Sequence, residues 1–155
     1  AIARIRPMTV LEEAVQGADL VVEAVSENQT VKAKIFDQLD SYAPAECILA
    51  TNTSSLSITT IAAFTKRPEK VIGMHFMNPV PVMRLVEIIK GHQTDETTLS
   101  VITALTTQIE KVPLVAADYP GFVANRILLP MINEAIEALF QGVAEVEAID
   151  NSDLL

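Results

Sequence analysis

The chain has 155 residues, half of them hydrophobic. It contains 11 lysines and arginines and 20 aspartates and glutamates, which gives a net charge of −9. This acidic balance argues against partners such as nucleic acid or an anionic membrane surface, and it requires local groups to hold an anionic substrate. The length allows one domain with a core, or one domain and part of another.

The only cysteine in the sequence, Cys47, lies in an apolar run, where we expect it to be a buried small hydrophobic residue. A single cysteine allows no disulfide within the chain. No apolar run reaches the length of a membrane span, and the N-terminal residues lack the apolar stretch of a signal peptide. We therefore expect a reducing compartment, the cytoplasm, or the mitochondrial matrix if the source is eukaryotic.

Short apolar runs of strand length alternate with helical patterns up to residue 117. Thr9 and Glu12 have the spacing of a capping box for the first helix, and Asn28 is suited to cap the second. The alternation predicts an α/β domain with a mostly parallel sheet. The predicted strands cover residues 20–25, 47–51, 71–74, 85–89 and 111–115. Pro113 places the last of them near a sheet edge.

The alternation ends at Asp118, which opens the sequence Asp-Tyr-Pro-Gly. Residues 122–141 follow as one long helical segment, with Pro130 as the expected position of a kink. We therefore predict two domains, one over residues 1–117 and the start of a second, helical one over 118–155.

The most informative stretch contains a histidine and a glutamate in apolar surroundings. An apolar run ends in His75, Pro79 and Pro81 then require a turn, and Glu87 lies inside the next apolar run. A buried carboxylate needs a partner, and the turn would bring His75 beside it. An imidazole held by a carboxylate is typical of a general base. The alternative is a core histidine with a hydrogen bond and no chemistry.

Polar residues follow three predicted strands, at 26–28, at 52–55, and at His75 with Asn78. In open α/β sheets, ligands bind beyond the carboxyl ends of the strands. Small hydroxyl and amide groups there suit a site that binds a neutral carbonyl or hydroxyl. For Asn28 and Ser55, capping of the next helix is the favoured explanation.

Five sequence blocks follow one another along the chain. They are D-L-V-V-E-A-V-S-E-N, T-N-T-S-S-L, H-F-M-N-P-V-P, L-V-E-I-I and P-G-F-V-A-N-R. In the same order, these blocks resemble the L-3-hydroxyacyl-CoA dehydrogenases, including the 3-hydroxybutyryl-CoA enzymes, and the similarity runs from about Val10 to Asp150. The resemblance implies the C-terminal part of a Rossmann-type dinucleotide-binding domain, followed by the start of an all-helical domain. It also implies NAD-dependent oxidation of L-3-hydroxyacyl-CoA to 3-oxoacyl-CoA, in fatty acid or butanoate metabolism.

The same resemblance implies roles for individual residues. His75 would be the catalytic base, Glu87 its orienting partner, Ser54 a hydrogen-bonding group for the substrate oxygen, and Asn125 a residue that positions the substrate and His75. The helical domain would close over an acyl-CoA substrate and form the contact of a homodimer, and no metal is implied. The nicotinamide half of the NAD site would be lined by Ala24, Glu27, Lys32, Asn78 and the shared Ser54.

The sequence departs from the family in having no Gly-x-Gly-x-x-Gly among its five glycines. The pyrophosphate and adenosine site of the family is therefore missing, and the choice between NAD and NADP stays open. We expect the chain to be an internal piece of a longer enzyme. Two alternatives remain: a related dehydrogenase of hydroxy acids or sugar acids, and a non-catalytic piece that serves only in interaction or dimerisation.

We predict that the isolated 155-residue chain is inactive, marginally stable and prone to associate. A sheet that lacks its first strands leaves an edge unpaired and apolar surface exposed. Isothermal titration calorimetry of this chain with NAD is the measurement, and a clear binding signal would contradict the prediction.

Overall fold

The computed structural model describes residues 2–152. The chain divides into two compact units, Ala1–Phe122 and Val123–Leu155. This division falls a few residues after position 118, where the sequence pattern changes from alternating strands and helices to one long helix.

The first unit contains a five-stranded sheet with the strand order β1-β2-β3-β4-β5. Every neighbouring pair is parallel except β3 and β4, which are antiparallel. The predicted mostly parallel sheet is therefore confirmed, and Pro113 lies in the edge strand β5, as expected. The strands are β1 (Leu20–Glu23), β2 (Ile48–Thr51), β3 (Val71–Phe76), β4 (Leu85–Lys90) and β5 (Val112–Ala117).

Four α-helices belong to the first unit and two to the second. In the order of the chain they are α1 (Leu11–Val15), α2 (Gln29–Tyr42), α3 (Ile58–Ala62), α4 (Glu96–Gln108), α5 (Ala124–Phe140) and α6 (Val146–Ser152). Short 3₁₀ helices cover Ile2–Arg4 and Pro68–Lys70. Across residues 2–152, no helix combines the length and the apolar character needed to cross a membrane.

Two hydrophobic clusters cover the two faces of the sheet, because successive strand residues point to opposite sides. Val71 and Ile89 belong to the cluster that contains residues of α1, α2 and α3. Their neighbours Ile72 and Ile88 belong to the other cluster, which contains Ile102 of α4. The first unit therefore has three layers, with the sheet between two helical layers.

The helix caps agree with the sequence at one predicted position and differ at another. Asn28 caps α2, because its side chain accepts a hydrogen bond from the Val31 N–H at 3.1 Å. The prediction for Ser55 is wrong: α3 begins two residues later and is capped by Ser57. Ser55 instead donates its hydroxyl to Glu27.

The predicted capping box of the first helix is also absent. Helix α1 begins at Leu11, so Val10 rather than Thr9 occupies the N-cap position, and it makes no side-chain cap bond. Glu12 is then one residue too close to the cap to complete the box.

Asp118 joins the end of β5 to the beginning of α3. Its carboxylate accepts hydrogen bonds from the Ser57 hydroxyl at 2.7 Å and from the backbone N–H groups of Ile58 and Thr59 at 3.0 and 2.8 Å. Partial burial raises the pKa of this carboxyl, but the hydrogen bonds outweigh it, and the net pKa lies below its ordinary value.

Replacing this residue (Asp118→Ala) in the whole protein that carries the chain should lower the free energy of unfolding by about 1–3 kcal/mol near neutral pH, because three donors lose their acceptor. The folded-state pKa is lowered, so the stabilisation is complete above the unfolded pKa of about 3.9 and is lost as the pH falls through the folded pKa. Urea unfolding at pH 7 and pH 3 measures this, with a smaller loss expected at pH 3.

The matched control is Asp37→Ala, which removes an exposed carboxylate from α2. It should change stability by no more than about 0.5 kcal/mol. An equal loss for Asp118→Ala at both pH values would contradict the role of the charged carboxylate.

Candidate active site

His75 and Glu87 lie directly opposite each other on the antiparallel strands β3 and β4. The His75 Nδ1 and the Glu87 Oε2 are 2.9 Å apart. The Glu87 side chain is completely buried, and only 8% of the His75 side chain is exposed. The predicted contact is therefore present. It fixes the orientation of the imidazole through Nδ1, and Nε2 is the ring nitrogen that this contact does not use.

The turn between β3 and β4 determines this pairing. Pro79 accepts backbone hydrogen bonds from Val82 and Met83 at 3.0 and 2.9 Å, which closes the chain into a tight reversal. The Asn78–Pro79 peptide bond is cis. The strand that returns is thereby in register with β3, and its only acidic residue meets the histidine.

A phenylalanine packs against the imidazole from the end of the first unit. The rings of Phe122 and His75 meet edge to face, with centroids 5.9 Å apart and an angle of 62° between the planes. Phe122 is buried and has a φ of 49°, next to Gly121 with a φ of 78°. Sequence reasoning assigned Phe122 to the long helix and missed this contact, for which the adjacent Pro-Gly pair was the available signal.

The loops after β1 and β2 are joined through the carboxylate of Glu27. One oxygen, Oε1, accepts hydrogen bonds from the Thr53 hydroxyl at 2.5 Å, the Ser54 N–H at 2.9 Å, and the N–H and hydroxyl of Ser55, both at 3.1 Å. Burial raises the pKa of Glu27, but these bonds and the nearby Lys32 charge outweigh it, and the net pKa is lowered. Glu27 is therefore ionised at neutral pH and holds the Ser54 backbone in place.

Lys32 lies in α2 and is almost completely buried. Its ammonium group contacts both carboxylate oxygens of Glu23, at 2.8 and 2.9 Å, and lies 3.5 Å from Glu27 Oε2. Sequence reasoning missed Glu23 as a functional candidate. The signal was available, because Glu23 interrupts an apolar strand just as Glu87 does.

The other predicted site residues are placed as follows. Ala24 is exposed immediately after β1, and Asn78 is exposed in the turn after β3. Asn52 links the loop after β2 to the end of β3, because its side-chain oxygen accepts a hydrogen bond from the Phe76 N–H at 2.8 Å. Asn125 lies in the first turn of α5, in the second unit.

These residues fit the nicotinamide half of a dinucleotide. The polar groups lie at the carboxyl ends of parallel strands, where such ligands bind. An ionised carboxylate, a serine hydroxyl and an asparagine amide match ribose hydroxyls and a carboxamide by hydrogen bonding. The fit does not extend to the pyrophosphate, because the sequence has no glycine-rich loop.

Comparison with known proteins identifies the family of this chain. The family model for the 3-hydroxyacyl-CoA dehydrogenase NAD binding domain matches residues 1–119. The chain belongs to the 3-hydroxyacyl-CoA dehydrogenase family. The C-terminal domain model of the same family matches residues 121–152. The predicted family, the Rossmann-type fold and NAD as the cofactor of the family are thereby confirmed.

Individual relatives support the assignment. A probable 3-hydroxybutyryl-CoA dehydrogenase of Bacillus subtilis is 55% identical over 149 residues, which cover 96% of this chain and 52% of that protein. The crystal structure of (S)-3-hydroxybutyryl-CoA dehydrogenase from Ralstonia eutropha superposes with a TM-score of 0.90 at 48% identity, covering 95% of this chain and 52% of that one. The chain thus spans about half the length of these relatives.

A third similar structure is named for a different class of substrate. It is 5-formyl-3-hydroxy-2-methylpyridine 4-carboxylic acid (FHMPC) 5-dehydrogenase, an NAD⁺-dependent dismutase. It matches with a TM-score of 0.87 at 36% identity, over 93% of this chain and 47% of that one. Its name refers to a pyridine carboxylic acid and not to a CoA ester. The same fold therefore also occurs in a dehydrogenase of a free acid.

Proposed function

We propose that the whole protein carrying this chain oxidises L-3-hydroxyacyl-CoA to 3-oxoacyl-CoA with NAD. The observation that supports this most directly is the 2.9 Å contact between His75 Nδ1 and Glu87 Oε2, within a domain that matches the family's NAD-binding model. This contact also favours an enzyme over a non-catalytic interaction module, because an imidazole held by a carboxylate is the arrangement of a general base.

The residues of this chain would handle the proton. His75 takes the proton of the substrate hydroxyl at Nε2, and the resulting imidazolium is stabilised by Glu87 at Nδ1. In the reverse direction the same nitrogen returns the proton to the reduced carbonyl oxygen. When bound, NAD supplies the acceptor for the hydride of substrate C3.

Other residues would orient the reactants. We propose that Ser54 hydrogen-bonds the substrate oxygen and that Asn125 helps to position the substrate and His75. Ala24, Glu27, Lys32 and Asn78 would line the nicotinamide side.

We also propose that the whole protein is a homodimer formed through its helical unit. In that unit α5 exposes many large apolar side chains, among them Phe140 at 85%. A helix that exposes this many large apolar side chains is typical of an interface between proteins.

For the cellular setting we propose a role in fatty acid or butanoate metabolism, in the cytoplasm or the mitochondrial matrix, because these are the settings of acyl-CoA chemistry.

A dehydrogenase of a free hydroxy acid is the second candidate, since FHMPC 5-dehydrogenase shares the fold. The two candidates differ in the substrate they select. We expect the whole protein to oxidise NADH with acetoacetyl-CoA at a kcat/KM about 100-fold or more above that with acetoacetate, because binding energy from the CoA part lowers the barrier. NADH absorbance measures both rates. Equal or greater activity with the free acid would favour the second candidate.

The role of the imidazole is tested by His75→Gln in the whole protein. Glutamine keeps a hydrogen-bonding group of similar size but cannot exchange the proton, so kcat should fall by about 100-fold or more. The Kd for NADH should stay within about twofold, because the substitution leaves the cofactor loops unchanged. Turnover and NADH fluorescence titration are the measurements.

The matched control is His92→Gln, at the second histidine of the chain, whose side chain is exposed in the loop after β4. Its turnover should equal that of the unmodified protein. Light scattering on all three proteins checks that each keeps the dimer mass. A His75→Gln protein with unchanged kcat would contradict the proposed role of His75 as the catalytic base. A monomer mass for the unmodified protein would contradict the proposed homodimer.

A further inference from the structure

Glu23 is a buried carboxylate at the carboxyl end of β1. It is only 4% exposed, and its neighbour across the parallel ladder is Thr51, the last residue of β2. Its two oxygens accept four hydrogen bonds from three residues. The donors are the Val25 N–H at 2.6 Å, the Thr51 hydroxyl at 2.7 Å, and the Lys32 ammonium at 2.8 and 2.9 Å.

Each of these bonds fixes a different part of the predicted nicotinamide side. The Val25 bond turns the backbone immediately after Ala24. The Thr51 bond holds the residue from which the loop at 52–55 departs. The Lys32 bond places an ammonium group between Glu23 and Glu27, whose other oxygen binds the Ser54 N–H. One carboxylate therefore connects, directly or through Lys32 and Glu27, to the cofactor-lining residues of both loops.

A stabilising role alone does not explain a charge in this position. Removing a carboxylate and an ammonium from water is unfavourable, and apolar side chains of similar volume often pack as well or better. The charged pair instead imposes direction, because each bond requires its partner at one distance and angle. These directional bonds order the two loops that Glu23 connects, the one after β1 and the one after β2.

We propose that Glu23 is a positioning residue for the nicotinamide half of the dinucleotide site. It acts through Lys32 and Thr51 and does not touch the cofactor itself. This inference rests on the proposed function, since it concerns how the NAD of that reaction is held. It adds Glu23 to a site in which sequence reasoning had placed only its neighbours.

The test compares two ligands in the whole protein. NADH contains the nicotinamide and its ribose, whereas ADP lacks both and contains only the adenosine and the pyrophosphate. Glu23→Gln keeps the size of the side chain but removes its charge. We expect the Kd for NADH to rise about tenfold, the effect of losing hydrogen bonds to a charged group, and the Kd for ADP to change less than about twofold.

A second readout needs no bound ligand. Hydrogen–deuterium exchange of the cofactor-free protein should become faster in Glu23→Gln at residues 24–28 and stay unchanged across β3 and β4. Glu46→Gln is the matched control, because it makes the same chemical change at an exposed glutamate that is paired with Lys70. It should alter neither the two affinities nor the exchange at 24–28. Glu23→Asp, which keeps the charge, should recover part of the NADH affinity.

If Glu23→Gln does not fold, Thr51→Val tests the positioning role of Glu23 in its place. It removes the hydroxyl bond to Glu23, together with the acceptor of the Thr53 N–H at 3.3 Å, while keeping the shape of the side chain. It should weaken NADH binding selectively, in the same direction as Glu23→Gln and to a smaller extent. Equal weakening of NADH and ADP binding, or no weakening of either, would overturn the proposal. A protein that binds NADH without reducing acetoacetyl-CoA would contradict only the proposed function. If NADH does not bind at all, unchanged exchange at 24–28 would still overturn the role of Glu23.

Discussion

A buried carboxylate that faces an imidazole across two antiparallel strands is the constraint around which the first unit is arranged. Glu87 is completely buried, so it requires its hydrogen bond to His75. The two strands can supply that bond only when they are adjacent, antiparallel and in this register. Strands β4 and β5 therefore run opposite to β1, β2 and β3, and the proline-rich turn between β3 and β4 makes this reversal possible.

The same principle operates at the other strand ends. Glu23 at the carboxyl end of β1 and Lys32 in α2 are buried together, and the hydrogen bonds of Glu23 extend to the start of the loops after β1 and β2. The loops are consequently held by side chains from the core, in addition to the bonds of their own backbone. A site built this way is preorganised before a ligand arrives, since the groups that support it are already packed.

The sequence allowed much of this arrangement to be predicted. A histidine and a glutamate in neighbouring apolar runs, separated by two prolines, predicted both the reversal and the contact, because a buried carboxylate has few acceptable partners. The same argument was not applied to Glu23, and that buried pair was missed. Its partner Lys32 is nine residues away on a helix, where no short-range pattern relates the two. The cap at Ser57 was misplaced at Ser55, since several small hydroxyl residues in a row are locally equivalent.

By itself the sequence determined the family, the alternation of strands and helices, and the residue types available to the site, because these depend on local periodicity and on motifs in order. Only the tertiary structure decided that Phe122 packs on the imidazole, that Asp118 caps α3, and that Glu23 and Glu27 share one lysine. The first two contacts join residues that are distant along the chain, and the third joins a strand, a loop and a helix. They arise from the packing of whole elements, and no local pattern encodes that packing.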